Sequence, residues 1–340
     1  MSTSIQQLSD SIARTLDAVG PAVVHVDGGH DSVSGLVWDD NTIVTVRHAV
    51  ADDAPITVTL ADGSVHTATL IGHDPRLDLS FLTVDDASLP ARPTATTETP
   101  KLGHLVFTLG RGHRGLRSSM GIVGAAGPTW RTRSGAEVAY DLDIDASLHP
   151  TAAGGPLLDA SGQLIGINTP ALRPGGATIP VATIDASLAL VREGGSIRPG
   201  LLGVRVRTAP LPPDIAATEG QHQGLLVIGT PRRSPAAKAG IESGDVLLTV
   251  AGTPVRALMD LRAALSTAGG TQVTVRILRA GETHELTVPV MATDTLGRRW
   301  GRKGGGRRPE RGDGQGGARK GKCGPWRRFK RAGKRHPGRC

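Results

Sequence analysis

His149-Pro150-Thr151-Ala152-Ala153-Gly154-Gly155-Pro156-Leu157-Leu158-Asp159 is the stretch around which the other motifs of the chain fall into order. Two glycines beside a proline let a backbone turn sharply and approach a neighbour closely, because glycine lacks the Cβ that forbids such dihedrals. The apolar pair Leu157-Leu158 leads into a turn at Asp159-Ala160-Ser161-Gly162 and then into the strand-like run 163–169. Tight loop, hairpin turn and strand in succession suit a β-rich chain.

Working outward, the run 22–182 alternates short apolar stretches with turn signals. Strands are expected at 22–26, 34–38, 42–46, 56–60, 66–72, 80–84, 104–109, 120–124, 138–144, 163–168 and 177–181. So many short strands without long intervening helices point to barrels or sandwiches rather than a parallel sheet. Before them, Ile5, Leu8, Ile12, Leu16 and Val19 recur at helical spacing up to Gly20-Pro21, and a helix is expected at 184–192. A second unit follows a linker, with strands at 201–207, 224–228, 246–250, 272–278 and 283–290 and helices at 235–239 and 257–266. The stretch between its first two strands reads as a polar, proline-rich loop.

Charge divides the chain. Residues 297–340 hold 17 of the 39 Lys and Arg with only two acids, so the other 296 residues carry 22 bases against 29 acids. The tail keeps no hydrophobic period and cannot bury enough apolar area to offset its ordering entropy, so it is expected to be disordered. Its basic charge, with Trp300, Trp326 and Phe329 as stacking groups, allows nucleic-acid binding, a solvated tail, or an out-of-frame gene end. The non-functional alternatives are preferred. Both cysteines, Cys323 and Cys340, lie there, so the body needs no disulfide. The first 20 residues hold charges and no apolar run of the kind a secretory signal has, and no stretch could span a bilayer. A cytoplasmic location, without membrane association, is the expectation.

Two further motifs carry chemistry. Residues 43–50 place His48 at the end of an apolar strand, and 73–82 place Asp78 just before another. Acyl-transfer triads need a base to take the nucleophile's proton and a carboxylate to orient the base. Taken singly, each position is commonplace. Among the other histidines, His25, His30, His66, His104 and His113 show no metal-ligand spacing, and neither metal nor cofactor is expected.

The order His48, Asp78, then the glycine loop resembles the HtrA family of serine proteases, trypsin-fold enzymes followed by peptide-binding PDZ domains. The resemblance runs from about residue 15 to 292. It is carried by residues 19–24, Ser34-Gly35-Leu36-Val37, Thr45 to His48, 71–79, Gly121-Ile122-Val123, Asp145-Ala146, Gly154-Gly155-Pro156-Leu157, Gly166-Ile167-Asn168-Thr169 and Ile179-Pro180. It implies a mainly β chain: a trypsin-like double β-barrel, then a small α/β PDZ domain, then the disordered basic tail. The expected boundaries are an N-terminal helix at 1–20, a protease-like domain at 21–192, a linker at 193–199, a PDZ domain at 200–292 and the tail at 293–340.

By resemblance, His48 matches the general base, Asp78 the orienting carboxylate and Ala153 the nucleophilic serine. Thr151 and Ala152 stand where the family has Gly and Asn, so the oxyanion loop Thr151-Ala152-Ala153 departs at all three positions. Loss of a triad serine costs roughly 10⁶-fold in turnover, about 8 kcal/mol of barrier. Substitution by Thr151 or Ser147 is not expected, since Thr151 lies two residues away in a tight loop and would point elsewhere. Whether the chain is an enzyme stays open, with an inactive relative that binds polypeptide expected first and an active endopeptidase of protein quality control second. Arg198-Pro199-Gly200-Leu201-Leu202-Gly203-Val204 resembles the carboxylate-binding loop of such PDZ domains. The backbone at Leu201, Leu202, Gly203 and Val204 is expected to hold a polypeptide C-terminus or unfolded protein, with the second helix lining the groove. The family's trimers use N-terminal aromatics, and none precedes Trp38, so a homo-oligomer is left open.

Overall fold

The computed structural model describes residues 2–85, 88–96 and 98–293. Helix α1 (Ser2–Val19) comes first, and its Ile12 and Leu16 pack on the core while Ile5 and Leu8 stay exposed. Six antiparallel strands then close a barrel: β1 (Val23–Asp27), β2 (Ser32–Val37), β3 (Thr42–Val46), β4 (Ile56–Thr59), β5 (Val65–Asp74) and β6 (Leu79–Thr83), in the order β1-β2-β3-β6-β5-β4. β3 is buried at every position, which is why it reads as an unbroken apolar run rather than an alternation.

A second six-stranded sheet follows. Its strands are β7 (Leu105–Gly112), β8 (Gly115–Gly127), β11 (Asp141–Ile144), β12 (Pro156–Asp159), β13 (Leu164–Thr169) and β14 (Ala177–Pro180), with the hairpin β9 (Trp130–Arg131) and β10 (Glu137–Val138) inserted after β8. Strand β8 is 13 residues long, far beyond the five expected, because its register with β7 continues to the hairpin tip at Gly112 and Gly115. Its exposed positions carry too little apolar pattern to be read as strand. Helix α2 (Val181–Gly194) packs Ile184, Leu188 and Val191 into the same core that holds Phe81 and Phe107. Both barrel-like sheets share that core.

The third sheet, in the order β16-β17-β18-β20-β21, is built from β16 (Arg205–Pro210), β17 (Gln223–Gly229), β18 (Val246–Val250), β20 (Gln272–Arg279) and β21 (Glu282–Pro289). The short pairs β15 (Gly200–Leu201) with β22 (Met291–Ala292), and β19 (Thr253–Pro254) with β18, lie off this path. Helices α4 (Pro235–Lys238) and α5 (Leu258–Ala264) fall where expected. Helix α3 (Pro213–Glu219) lies in the stretch expected to be loop. Its signals were present: a proline at the first turn and Gly220, in the left-handed conformation with φ 64°, at its end. A mainly β architecture with few helices is the result. The segment expected to be a disordered basic tail begins at residue 293, and all but Thr293 of it lies outside the described residues. Among the described residues no helix is long and apolar enough to cross a membrane.

Candidate active site

Asp78 is held by its neighbours before it holds anything itself. The turn that delivers it is fixed by Asp74, fully buried, which accepts from Arg76 Nε at 2.9 Å, Arg76 Nη2 at 2.7 Å, the Arg76 backbone N–H at 3.0 Å and Ser187 Oγ of α2 at 2.8 Å. A planar guanidinium suits this two-point grip on a carboxylate. The turn leaves Asp78 at φ 58°, a left-handed conformation uncommon for a residue with a Cβ. Such strain persists only where the surroundings impose it, and it gathers at functional sites.

From that position Asp78 reaches His48, at the 3₁₀ turn Arg47–Ala49 that ends β3. Asp78 Oδ1 accepts the His48 backbone N–H at 3.0 Å, and Oδ2 meets His48 Nδ1 at 2.8 Å. Since a carboxylate only accepts, Nδ1 carries the proton and Nε2 of the neutral ring is free to take one. Thr169 Oγ1 donates to the same Oδ2 at 2.5 Å. The hydrogen bond from Asp78 raises the His48 pKa above its ordinary 6.5, burial opposes it, and the charges of Asp78 and Asp31 add to the rise. Asp78 is 6% exposed, whereas the His48 side chain is 36% exposed and open to a ligand.

The glycine loop sits on the first barrel. Ser34 N donates to Ala153 O at 3.0 Å, and Ser34 Oγ donates to Thr151 O at 2.5 Å. Gly154 has φ 77°, and a Cβ on it would come within 2.0 Å of Ser34 O; one on Gly155 would come within 2.0 Å of Leu109 O. Both glycines are therefore required by backbone approach.

Pro150–Ala152 forms a 3₁₀ turn, with Ala152 N donating to His149 O at 2.7 Å and Ala153 N to Pro150 O at 3.3 Å. The Ala153 N–H is thus turned onto its own loop. Arg117 Nη1 lies 2.7 Å from His149 Nε2, and His149 Nδ1 lies 3.0 Å from Thr151 Oγ1. An arginine can only donate, so Nε2 accepts from it, while Nδ1 faces both Thr151 Oγ1 and, at 3.3 Å, the Thr151 backbone N–H. Ala153 itself is 7% exposed and offers a methyl group.

In the third sheet, Leu202 is buried and its carbonyl accepts from Ala236 N of α4 at 2.9 Å. Gly203 has φ 72°, and a Cβ there would meet the Ser234 Cβ at 2.5 Å. Among the described residues the backbone N–H groups of Leu202, Gly203 and Val204 donate to nothing, and Leu201 begins the turn as the end of β15. Successive free N–H groups around a left-handed residue make an anion-binding concavity. No three His, Cys, Asp or Glu side chains among the described residues come together as metal ligands would.

Sequence reasoning missed Thr169, Ser34, Arg117 and His149 as parts of this arrangement. The first two lie inside motifs whose pattern was visible, but their partners are 91 and 117 residues distant. Arg117 sits in the half of β8 that carried no strand signal.

A closed barrel joined to a second barrel-like sheet, with a His–Asp pair and a double-glycine loop, defines the trypsin-like class. Residues 33–167 match the trypsin-like peptidase domain, and 230–279 match the PDZ domain. A DegP-like protein of Chlamydia trachomatis, named a probable periplasmic serine endoprotease, is 32% identical over 282 residues, covering 78% of this chain and 55% of its own. One of Brucella suis with the same name is 34% identical over 273 residues, covering 76% and 52%. The chain spans about half the length of these curated relatives. Among solved structures, the serine endoprotease of Yersinia pestis superposes with a TM-score of 0.64 at 27% identity, covering 83% of this chain and 98% of that one. The HtrA-type protease AlgW with a decapeptide gives 0.62 at 26%, covering 84% and 99%. The chain belongs to the HtrA family of trypsin-like serine proteases with a C-terminal PDZ domain.

One expectation is overturned. The relatives are named periplasmic, which points away from the cytoplasm. A body without cysteine holds no disulfide for either redox environment to make or break, so its composition never fixed a compartment.

Proposed function

We propose that this chain binds polypeptide through its PDZ domain and protease-like cleft without cleaving it. The observation that carries the proposal is Ala153, which presents no hydroxyl in a loop where Thr151 and Ala152 also depart from the family's Gly and Asn. His48 and Asp78 retain the orientation of a base and its carboxylate, but a base with no nucleophile to deprotonate does no acyl transfer. The Ala153 N–H, in the role of an oxyanion donor, is spent on Pro150 O. The three free N–H groups at Leu202, Gly203 and Val204 supply the peptide's carboxylate site, as PDZ domains add a peptide as a strand. AlgW and a serine-to-alanine form of it are each solved with a decapeptide, so in that relative the substitution is compatible with a bound peptide.

An active endopeptidase of protein quality control is the second reading, favoured by the intact His48–Asp78 bond and by the relatives' names. Incubation of the purified chain with β-casein, with and without a fluorophosphonate, separates the two. No cleavage and no labelling is the expected result; cleavage abolished by the fluorophosphonate overturns the proposal. Ala153→Ser alone should give little activity and Ala153→Ser with Thr151→Gly more. Full activity from the single change would show that the oxyanion donors form without the glycine.

A further inference from the structure

We propose that the PDZ groove selects C-terminal peptides carrying acidic side chains at the penultimate position and two residues before it. The proposal deepens, and rests on, the reading of Leu202–Val204 as a carboxylate site.

Strand β16 is a terminal strand of its sheet and pairs only with β17. The hairpin fixes which of its groups are spare. Leu211 N donates to His222 O, so Leu211 faces its partner strand. By alternation Ala209 and Arg207 do likewise, while Pro210, Thr208 and Val206 turn their backbone groups to the free edge. Pro210, with no N–H to offer, stands at an outward position, as edge prolines do. Thr208 and Val206 remain to pair with an added strand, which would end at Leu202–Val204.

Side chains then sort by face. Leu202, Val204 and Val206 belong to the apolar core of this domain, with Leu261 and Leu265 from the α5 region. A strand added here puts its terminal side chain on that apolar side and its penultimate one on the opposite face. That face carries Arg205 and Arg207, both exposed. Arg205 lies flat over Gly229, where a Cβ would stand 2.7 Å from Nη2 and 3.0 Å from Nε. Neither arginine has an ion-pair or hydrogen-bond partner among the described residues.

No acid of the groove offsets them. Asp260 of α5 is turned onto the backbone N–H groups of Arg256 and Ala257, both at 2.9 Å, and Asp245 is gripped by Arg279. Directly opposed charges on neighbouring strands attract, and like charges repel. The occupant favoured by charge is therefore an acidic C-terminal peptide. The basic segment 297–340 of the chain itself, with 17 Lys and Arg, would meet like charge.

The test uses the full chain and three fluorescein-labelled decapeptides of Gly, Ser and Ala ending in Val, followed by anisotropy. One has Asp at the penultimate position and two residues before it, one has Lys at both, and the third is the Asp peptide with an amidated C-terminus. We expect the Asp peptide to bind about tenfold tighter than the Lys peptide, as two cross-strand pairs would give. In Arg205→Gln/Arg207→Gln, which keeps the basic tail, that ratio should fall to about twofold, the remainder being what the tail contributes. Equal binding of the Asp and Lys peptides, or a preference unchanged in the double variant, overturns the charge selection. Equal binding of the amidated peptide overturns the carboxylate site alone, and failure of all three overturns both.

Discussion

Asp78 concentrates the residue-scale argument, because it spends one carboxylate oxygen on the His48 backbone and the other on its imidazole, and is itself strained into place. Replacement by Asn removes the charge that favours the imidazolium and leaves the burial that disfavours it. We expect the His48 pKa, followed by the NMR shift of its ring protons, to fall in Asp78→Asn; an unmoved value would mean that Asp78 does not control it. The same shift links pH to stability. His48 has a raised folded pKa, so its contribution is complete below about pH 6.5 and is lost as pH rises through the folded value. The stability difference between the chain and His48→Gln in urea should therefore shrink between about pH 5 and about pH 9. Two residues before Asp78, Arg76 is the buried partner of Asp74. Arg76→Ala leaves a buried carboxylate uncompensated and should cost about 3–5 kcal/mol, read as a lower urea midpoint. A cost under about 1 kcal/mol would mean that water reaches Asp74.

At the scale of elements, two glycines separate backbone conformation from available space. Gly63 and Gly154 have φ 88° and 77°, so Ala at either is strained. At Gly63 nothing lies within 4 Å of an added Cβ, whereas at Gly154 Ser34 O is 2.0 Å away. Gly63→Ala should cost about 1 kcal/mol and Gly154→Ala at least about twice that, because the second must also push β2 from the loop. Equal melting temperatures would contradict the close approach. This contrast also explains what was legible. The double glycine, the strand before His48 and the turn before Asp78 are local patterns, so the mainly β fold was legible in them, whereas His48 and Asp78 were paired only through the motif order shared with the HtrA family. The extended half of β8 and helix α3 lacked a strong apolar period, and one was shortened and the other missed. Thr169 on Asp78 and Ser34 on Thr151 join residues 91 and 117 apart, and no spacing rule carries such partners.

At the scale of the whole described body, the connection between the barrels and the PDZ domain contains almost no free chain. Ser196 Oγ accepts from His73 N at 3.0 Å, and Ile197 N donates to His73 O at 2.7 Å, so that end is tied to β5. The next residues belong to the other side: Arg198 O accepts from Gly269 N at 2.8 Å and Pro199 O from Thr293 N at 2.9 Å. A turn of the peptide between Ile197 and Arg198 is all that covalent structure leaves to a hinge. A second contact restrains it. The β9–β10 hairpin lies against α5, with Arg262 Nη1 donating to Arg133 O at 3.1 Å and Gly135, at φ 85°, so close that a Cβ would stand 2.5 Å from the Arg262 carbonyl carbon. Helix α5 also touches β16, so this contact bears on the groove walls. Gly135→Val adds a branched side chain where neither the dihedral nor the space allows one. We expect the variant to lose the contact with α5 while the hairpin stays anchored in the first core by Ala136 and Val138, which are buried there. Limited proteolysis should cut near residues 195–200 several-fold faster than in the parent, and near-ultraviolet circular dichroism should be unchanged. Cutting at the parental rate would mean that the Ile197–Arg198 joint alone keeps the domains together, with the hairpin an incidental neighbour.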